Sequence, residues 1–412
     1  MKMLVAAGVA AGILGLIDIG IARGESVELV ISRWAGPHAD DQAELLKQFE
    51  KETGISVKMD AIDYGQLRQK QTLNMAGKTG GYDLVWAQEV WLPEYVAAGF
   101  LRPLDEYVKD SALAGQDFDF NDFQPSLVKI ATVDGKLYGL PTFVQTPIMV
   151  YNRDALAKAS LDAPKTWEEA LAVAKSLHSK GTGIALPAKQ GLAAVDVWIA
   201  LARSNDGDYF DKSGKLDLPT NANVETAVFW KDLVAVSMRG STNWHWDEVN
   251  KALEFGQAPL GISISGLLNA LEGNESTVAG KVGYSPLPYK IHPFGTLSVW
   301  NWCIPADSKH PQEAFRLLAW LTGKSAEKAL SLKDGQICAR QSVLKDPELV
   351  SKFPWLPAVS AALSNADTQP RTKDAPKLMD AMEAALSEIA TGKTEPKAAL
   401  EEVQKQRAAD FQ

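Results

Sequence analysis

The chain has 412 residues, of which 46% are hydrophobic and 23% charged, and its formal net charge is −9. That length can carry two cored domains, and the proportions are those of an ordinary water-soluble protein. An acidic chain without a basic stretch excludes nucleic acid as an expected partner, and two cysteines without a C-x-x-C spacing exclude a zinc or dithiol redox motif.

Residues 1–24 read as a signal peptide. Lys2 supplies the positive start, Leu4 to Ile21 an apolar core, and Ala22-Arg23-Gly24 the small residues that a signal peptidase inspects. Asp18 interrupts the apolar run, which argues against a retained anchor, the alternative reading. No Cys follows as a lipid attachment point and no twin Arg precedes it, so a soluble periplasmic protein is expected. Cleavage removes Lys2, Arg23 and Asp18, a net +1, and leaves −10.

The mature chain opens with a strand at Val27, Leu29 and Ile31, where apolar and polar residues alternate. Ala43, Leu45, Leu46 and Phe49 then make one apolar helix face, Gly54 stops that helix, and Ile55, Val57 and Met59 alternate as a second strand. Such a unit builds parallel sheet with a right-handed crossover. Further on, Tyr82 to Trp86 reads as a buried strand and Glu89 to Ala98 as a helix. Thr166-Trp167-Glu168-Glu169 is a capping box opening another helix. Gly183–Leu186 and Ala258–Ile264 are strand-like. Leu192–Arg203, Asn223–Val236, Pro311–Leu321, Lys377–Ile389 and Pro396–Arg407 are helical in pattern. Strands alternating with helices throughout predict α/β lobes. Two strand-like stretches with polar residues among aromatics, Gly135 to Asn152 and Phe294 to Trp302, suit segments that cross between lobes. Cys303 and Cys338 fit either a disulfide or two buried thiols.

The pieces GKLYGLPTFVQTPIMVYNRDAL, PKTWEEALAVAKSL, GQAPLGISISGLL and GQICARQSVLKDPEL, in this order, resemble the solute-binding proteins of bacterial ABC importers, in the sugar-binding family that includes the maltose-binding proteins. The resemblance covers nearly all of the mature chain. It implies two α/β lobes, residues 25–142 with 296–340 and residues 143–295 with 341–412, joined by three crossings. The lobes would close as a hinge over one solute in the cleft between them. It also implies delivery to a membrane permease with its ATPase, a monomeric carrier and no cofactor.

Sugar recognition needs flat aromatic faces for the C–H side of a ring and planar polar groups for its hydroxyls, since an unpaired buried hydroxyl costs about 1–3 kcal/mol. The chain has 12 Trp, several where strands end, the place where doubly wound sheets bind ligands. Trp34 and His38 follow the first strand and match the family's first ligand loop; packing against the following helix is the alternative. Gln88 and Glu89 follow the strand ending at Trp86. Gln145 lies in the first crossing, where relatives often carry an acid, a departure that puts maltose in doubt. Asp196 and Trp198 fall where the family has an aromatic wall, with Trp198 as core the alternative. Ser265 and Gly266 end a strand and open a helix whose N–H groups could face a ligand; the family often has Trp nearby, and this chain has none there. Trp300 and Trp302 share one strand face and Asn301 takes the other; one face is expected to line the cleft. Gln336 and Arg340 lie in the stretch resembling the third crossing, with Arg340 either gripping solute or forming an interlobe salt bridge.

Two other classes are weighed. Gly261-Ile262-Ser263-Ile264-Ser265-Gly266 spaces as G-x-S-x-x-G and misses the hydrolase nucleophile elbow by one residue. Asn205 to Asp211 has the composition of a calcium loop without its spacing or final Glu, so no metal is expected. A secreted carbohydrate-active enzyme is the lesser alternative. A carrier of an anionic or amine solute is the nearer one, favoured respectively by Arg340 with His38 or by a cluster of acids.

Overall fold

The computed structural model describes residues 27–35, 38–179, 181–372 and 374–411; the signal-peptide reading lies outside them. Among the described residues there are thirteen strands: β1 (Glu28–Trp34), β2 (Ser56–Ile62), β3 (Leu84–Gln88), β4 (Thr132–Val133), β5 (Lys136–Leu137), β6 (Leu140–Gln145), β7 (Pro147–Asn152), β8 (Ile184–Ala185), β9 (Leu260–Ile264), β10 (Val282–Ser285), β11 (Gly295–Thr296), β12 (Ser298–Cys303) and β13 (Ala366–Asp367). They form a five-stranded sheet ordered β2-β1-β3-β12-β6, a four-stranded sheet ordered β10-β7-β9-β8, and the pairs β11-β13 and β4-β5.

The first sheet begins as the expected crossover. β1 pairs in parallel with β2 and β3, and β12 enters antiparallel between β3 and β6. The helix Ala39–Thr53 between β1 and β2 carries Asp40 and Asp41 in its first turn, where the helix dipole favours them. Gly54 ends it at φ 72, its N–H returning to the Glu50 carbonyl. Its buried face is Ala39, Gln42, Leu46 and Phe49, so a glutamine occupies an apolar-spaced position. Neighbouring Ser32 and Arg33 project to opposite faces of β1. Ser32 meets Gln71 of the helix Tyr64–Ala76 and Arg33 meets Gln42, so helices cover both faces of the sheet.

The second sheet is flanked by the helices Trp167–His178, Leu192–Ser204, Asn221–Ala235, Ala375–Ala390 and Pro396–Arg407. The capping box forms as expected, with Thr166 and Glu169 exchanging bonds. Trp198 is wholly buried here beside Tyr209 at 6.0 Å, among Trp230, Leu386 and Ile389. It is a core residue, which removes it from the expected ligand wall. Among the described residues no helix is long and apolar enough to cross a membrane.

The two sheets meet at Thr146, where β6 of the first ends and β7 of the second begins. The Thr146 N–H donates to Ser265 Oγ at 3.0 Å, and the Ser265 N–H returns to the Thr146 carbonyl at 3.0 Å. That reciprocal pair occupies the backbone donor proposed to face a ligand, and the residues after Ser265 form a 3₁₀ rather than an α-helix. β11, paired with β13, leads into β12 as a second crossing.

Residues 336–337 run beside the first crossing, where the Val144 N–H donates to the Ile337 carbonyl at 2.9 Å. Arg340 then turns into the interior of the first sheet's lobe. It is fully buried, donates to the Thr322 carbonyl at 2.7 Å and to the Asp119 carbonyl, and lies 3.9 Å over the Phe123 ring. Its role is internal, so it does not grip a solute. Ser342 bonds Asp122 at 2.6 Å and Asp346 pairs with Lys328 at 2.8 Å, which keeps the segment after Arg340 with the first lobe. The next helix, Leu356–Leu363, packs on β7 and β10. Cys303 and Cys338 are buried free thiols. Asp208 is 3.2 Å from Arg203, and Asp211 caps its own turn, as suits a polar turn.

A buried carboxyl braces the first crossing from below. Glu327 accepts from Thr142 Oγ1 at 2.6 Å and from Gln336 Nε2 at 3.2 Å, which accounts for Gln336 without a solute. Burial pushes its pKa from an ordinary 4.5 to about 8, against the opposing pull of these bonds and of Arg340. A carboxyl raised on folding contributes stability that is full below its unfolded pKa and is lost as pH rises through the folded value. Unfolding followed in urea at pH 5, 6.5 and 8 is therefore expected to show wild type losing stability relative to Glu327→Gln as pH rises, at up to about 1.4 kcal/mol per pH unit from this group. Parallel pH profiles would contradict it. Trp198→Ala is expected to cost about 3–5 kcal/mol in the same assay while leaving the solute affinity of the folded protein unchanged.

Candidate ligand-binding site

The C-terminal ends of β1 and β3, with the start of β12 between β3 and β6, carry a dense aromatic cluster. Trp86 and Trp300 stack at 4.4 Å between ring centroids, and Trp300 stacks on Trp34 at 5.9 Å. Trp91 meets Trp300 edge-on at 5.6 Å, and Tyr64 meets Trp34 edge-on at 5.8 Å and Trp300 at 6.1 Å. The rings differ in access. Trp300 is 1% exposed and Tyr64 41%, while Trp34 is partly buried. Trp34 and Tyr64 thus form the accessible row, and Trp300 backs them from the core. Trp302 shares the Trp300 face as expected, but it is fully buried against Trp86 at 6.0 Å and lines no cleft. Asn301, on the opposite face, is also buried and donates to the Val299 carbonyl at 3.1 Å. Of the two faces weighed in the sequence, the Trp face meets the accessible row, through Trp300.

Polar groups follow the aromatic row. Tyr64 Oη donates to Gln88 Oε1 at 2.9 Å, and Gln88 Nε2 donates to Ser298 Oγ at 3.0 Å. Glu89 Oε2 accepts the Val299 N–H at 2.8 Å and lies 3.5 Å from Ser298 Oγ. Burial raises the Glu89 pKa to about 8, the Val299 bond opposes that, and nearby Asp196 adds to it. From the second lobe, the helix Leu192–Ser204 presents Asp196, which accepts from Gln369 Nε2 at 2.8 Å. The Asp196 carbonyl accepts from Thr296 Oγ1 at 3.4 Å. Burial lifts the Asp196 pKa to about 7, with Glu383 adding to it, and burial with Asp380 lifts Glu383 to about 7. Arg371 lowers the Glu89 pKa from nearby and donates to the Ile130 carbonyl of the first lobe at 2.5 Å.

At the first crossing, Gln145 and Gly266 meet across the two lobes. A Cβ on Gly266 would lie 2.3 Å from Gln145 Nε2 and 3.1 Å from the Phe143 ring. The missing side chain is what permits this approach, so the glycine serves lobe contact rather than stacking. His38 sits edge-on to Phe143 at 5.2 Å.

The structure therefore brings together Trp34, His38, Gln88, Glu89, Gln145, Asp196, Gly266 and Trp300. It sets apart Trp198, Trp302, Asn301, Gln336 and Arg340, and it uses Ser265 as a backbone brace. Sequence reasoning missed Tyr64, Trp91, Ser298, Gln369 and Glu383. Tyr64 and Gln369 follow β2 and β13 closely, so the strand-end rule that picked Trp34 would have found both. Glu383 sits on a helix face, and only packing aims it here.

The model of the bacterial extracellular solute-binding proteins matches residues 35–328. A probable amino-acid ABC transporter periplasmic-binding protein of Sinorhizobium fredii is 30% identical over 89% of this chain and 86% of its own. A solute-binding protein from Agrobacterium radiobacter K84, solved with ribitol, is 28% identical with a TM-score of 0.85, covering 94% of this chain and 99% of its own. One from Agrobacterium vitis S4 with bound D-mannitol is 25% identical, TM-score 0.79, covering 93% and 98%. The two-sheet architecture is that of two-lobe periplasmic binding proteins, and the chain belongs to the bacterial extracellular solute-binding protein family.

Proposed function

We propose that this protein captures a small polyhydroxylated solute, a sugar or a polyol, in the periplasm and hands it to an ABC permease driven by its ATPase. The carrying observation is the accessible Trp34–Tyr64 row bonded to Gln88, which joins Ser298 beside Glu89, with the Asp196–Gln369 pair of the second lobe close enough for its charge to act on Tyr64 and Glu89. Aromatic faces take the C–H side of a polyol and planar polar groups take its hydroxyls. The ribitol and D-mannitol complexes of relatives support the same class. The protein is read as a monomeric carrier without catalytic residues or cofactor.

Closure is the proposed mechanism. First-lobe groups (Trp34, Tyr64, Glu89) and second-lobe groups (Asp196, Gln369) contact one solute, which stabilises the closed form by its differential contacts. Because β6 runs to Gln145 in the first sheet, past the expected boundary at 142, the lobes are taken as residues 25–145 with 296 to about 352, and residues 147–295 with those after about 355, the third crossing falling between Lys352 and Leu356. This is later than residue 340, because Asp122 and Lys328 hold the intervening segment. A second reading, an amine or amino-acid solute, is favoured by Glu89, Asp196 and Glu383 facing one region and by the name of the Sinorhizobium relative.

A thermal-shift screen of residues 25–412 against polyols, neutral sugars, sugar acids, amines and amino acids separates these readings. A solute at a hundredfold excess over Kd is expected to add about 2.7 kcal/mol of stability. Shifts with polyols or neutral sugars are expected; shifts with amines or amino acids alone would overturn the polyol reading. Trp34→Ala is expected to weaken the bound solute at least tenfold by titration calorimetry with the fold retained. Trp300→Ala, which empties a buried site, is expected to lower stability by about 3–5 kcal/mol as well.

A further inference from the structure

Arg33 is one residue before the accessible aromatic row and is 1% exposed. Its Nε donates to the Trp34 carbonyl at 2.9 Å. Its Nη1 donates to the His38 carbonyl at 3.3 Å and to Gln42 Oε1 at 2.8 Å. Its guanidinium carbon lies 4.4 Å over the Trp86 ring. One planar cation thus holds the two ends of the loop after β1, the helix that follows it, and the middle ring of the aromatic cluster.

His38 has φ 68, in the left-handed region that side-chain-bearing residues rarely adopt. Such a conformation persists where its surroundings over-determine it. The surroundings here form a closed circuit: His38 on Phe143 at 5.2 Å, Phe143 on Trp86 at 5.8 Å, Trp86 on Trp300 at 4.4 Å, and Trp300 on Trp34 at 5.9 Å. The circuit begins and ends on the two residues whose carbonyls Arg33 holds. Phe143 also extends it to the second lobe, since its ring would lie 3.1 Å from any Cβ at Gly266.

We infer that Arg33 is the positioning residue of Trp34 and His38, clamping their carbonyls against Trp86 so that the aromatic face is set before solute arrives. The inference rests on the reading that Trp34 meets the solute. The fork geometry is what matters, because an ammonium on a flexible stem cannot serve two carbonyls, a carboxamide and a ring face at once. Preorganisation of this kind raises affinity by removing an ordering cost from the binding step.

The test compares Arg33→Lys with Arg340→Lys, a second buried arginine of the same lobe whose partners lie away from the aromatic row. Near-ultraviolet circular dichroism of the mature protein without solute reports the Trp packing, and calorimetry reports Kd for ribitol and D-mannitol. Arg33→Lys is expected to lose at least half of the near-ultraviolet aromatic signal with the far-ultraviolet spectrum retained. It is also expected to weaken the tighter polyol at least tenfold. Arg340→Lys is expected to lower Tm with both readouts unchanged. A wild-type near-ultraviolet spectrum for Arg33→Lys, or equal changes in the two variants, overturns the inference. Should Arg33→Lys fail to fold, Gln42→Met, which removes one arm of the clamp, decides by the same spectrum: partial loss supports the inference and no loss overturns it. If neither polyol binds wild type, the polyol reading fails while the solute-free spectrum still judges Arg33.

Discussion

Trp86 and Trp300 lie face to face at 4.4 Å across the seam between β3 and β12, and the working end of the molecule is organised around that pair. β12 returns from far along the chain, with Glu89 and Val299 bonded although 210 positions apart. By entering between β3 and β6 it turns the end of a parallel sheet into an aromatic floor. Rings of this size contribute both buried area and favourable offset geometry. Once the floor exists, Trp34 and Tyr64 have something to lean on, and the polar ends of β3 and β12 fall beside them. Remove the strand insertion and the same residues become isolated aromatics at the ends of separate elements.

The same returning chain serves both lobes. Thr296 bonds the Asp196 carbonyl, and Ser298, two residues on, bonds Gln88 and approaches Glu89. One crossing strand therefore touches the polar groups that each lobe offers to the cleft. On the proposed mechanism, a solute bridging Glu89 and Asp196 would act on closure through these partners. The raised carboxyl pKa values belong to this arrangement. Burial makes both acids resist ionisation, with Asp196 adding to the effect at Glu89 and Glu383 at Asp196, and a neutral acid can donate to a hydroxyl as well as accept from one.

Much of this was legible in local pattern. The strand at Leu29 and Ile31, the Gly54 stop, the Thr166–Glu169 capping box and the helices Pro311–Leu321 and Pro396–Arg407 each follow from short-range chemistry, and each forms. The residues that misled were large or charged groups whose burial is settled by distant neighbours. Trp198 was drawn into a core by Tyr209 and the helix Ala375–Ala390, and Trp302 by its cross-strand partner Trp86. Arg340 was drawn inward by carbonyls of residues 119 and 322. Periodicity places a tryptophan on a strand face, but it does not say whether that face ends in solvent, in a cleft or under another ring.

The sequence by itself determined the alternation of strands and helices, the two strand-like stretches at the ends of which the sheets meet, and the family to which the chain belongs, because propensity, capping and motif order act over a few residues. It also marked Trp34, Gln88, Glu89 and Asp196 through their place at the ends of strands or in a family motif. Tertiary structure alone decided which aromatics stay accessible, that Gly266 lets Gln145 approach, and that Arg33 lies over the Trp86 ring. Those outcomes depend on pairs brought together by sheet order, and sheet order is a long-range property that no local pattern encodes.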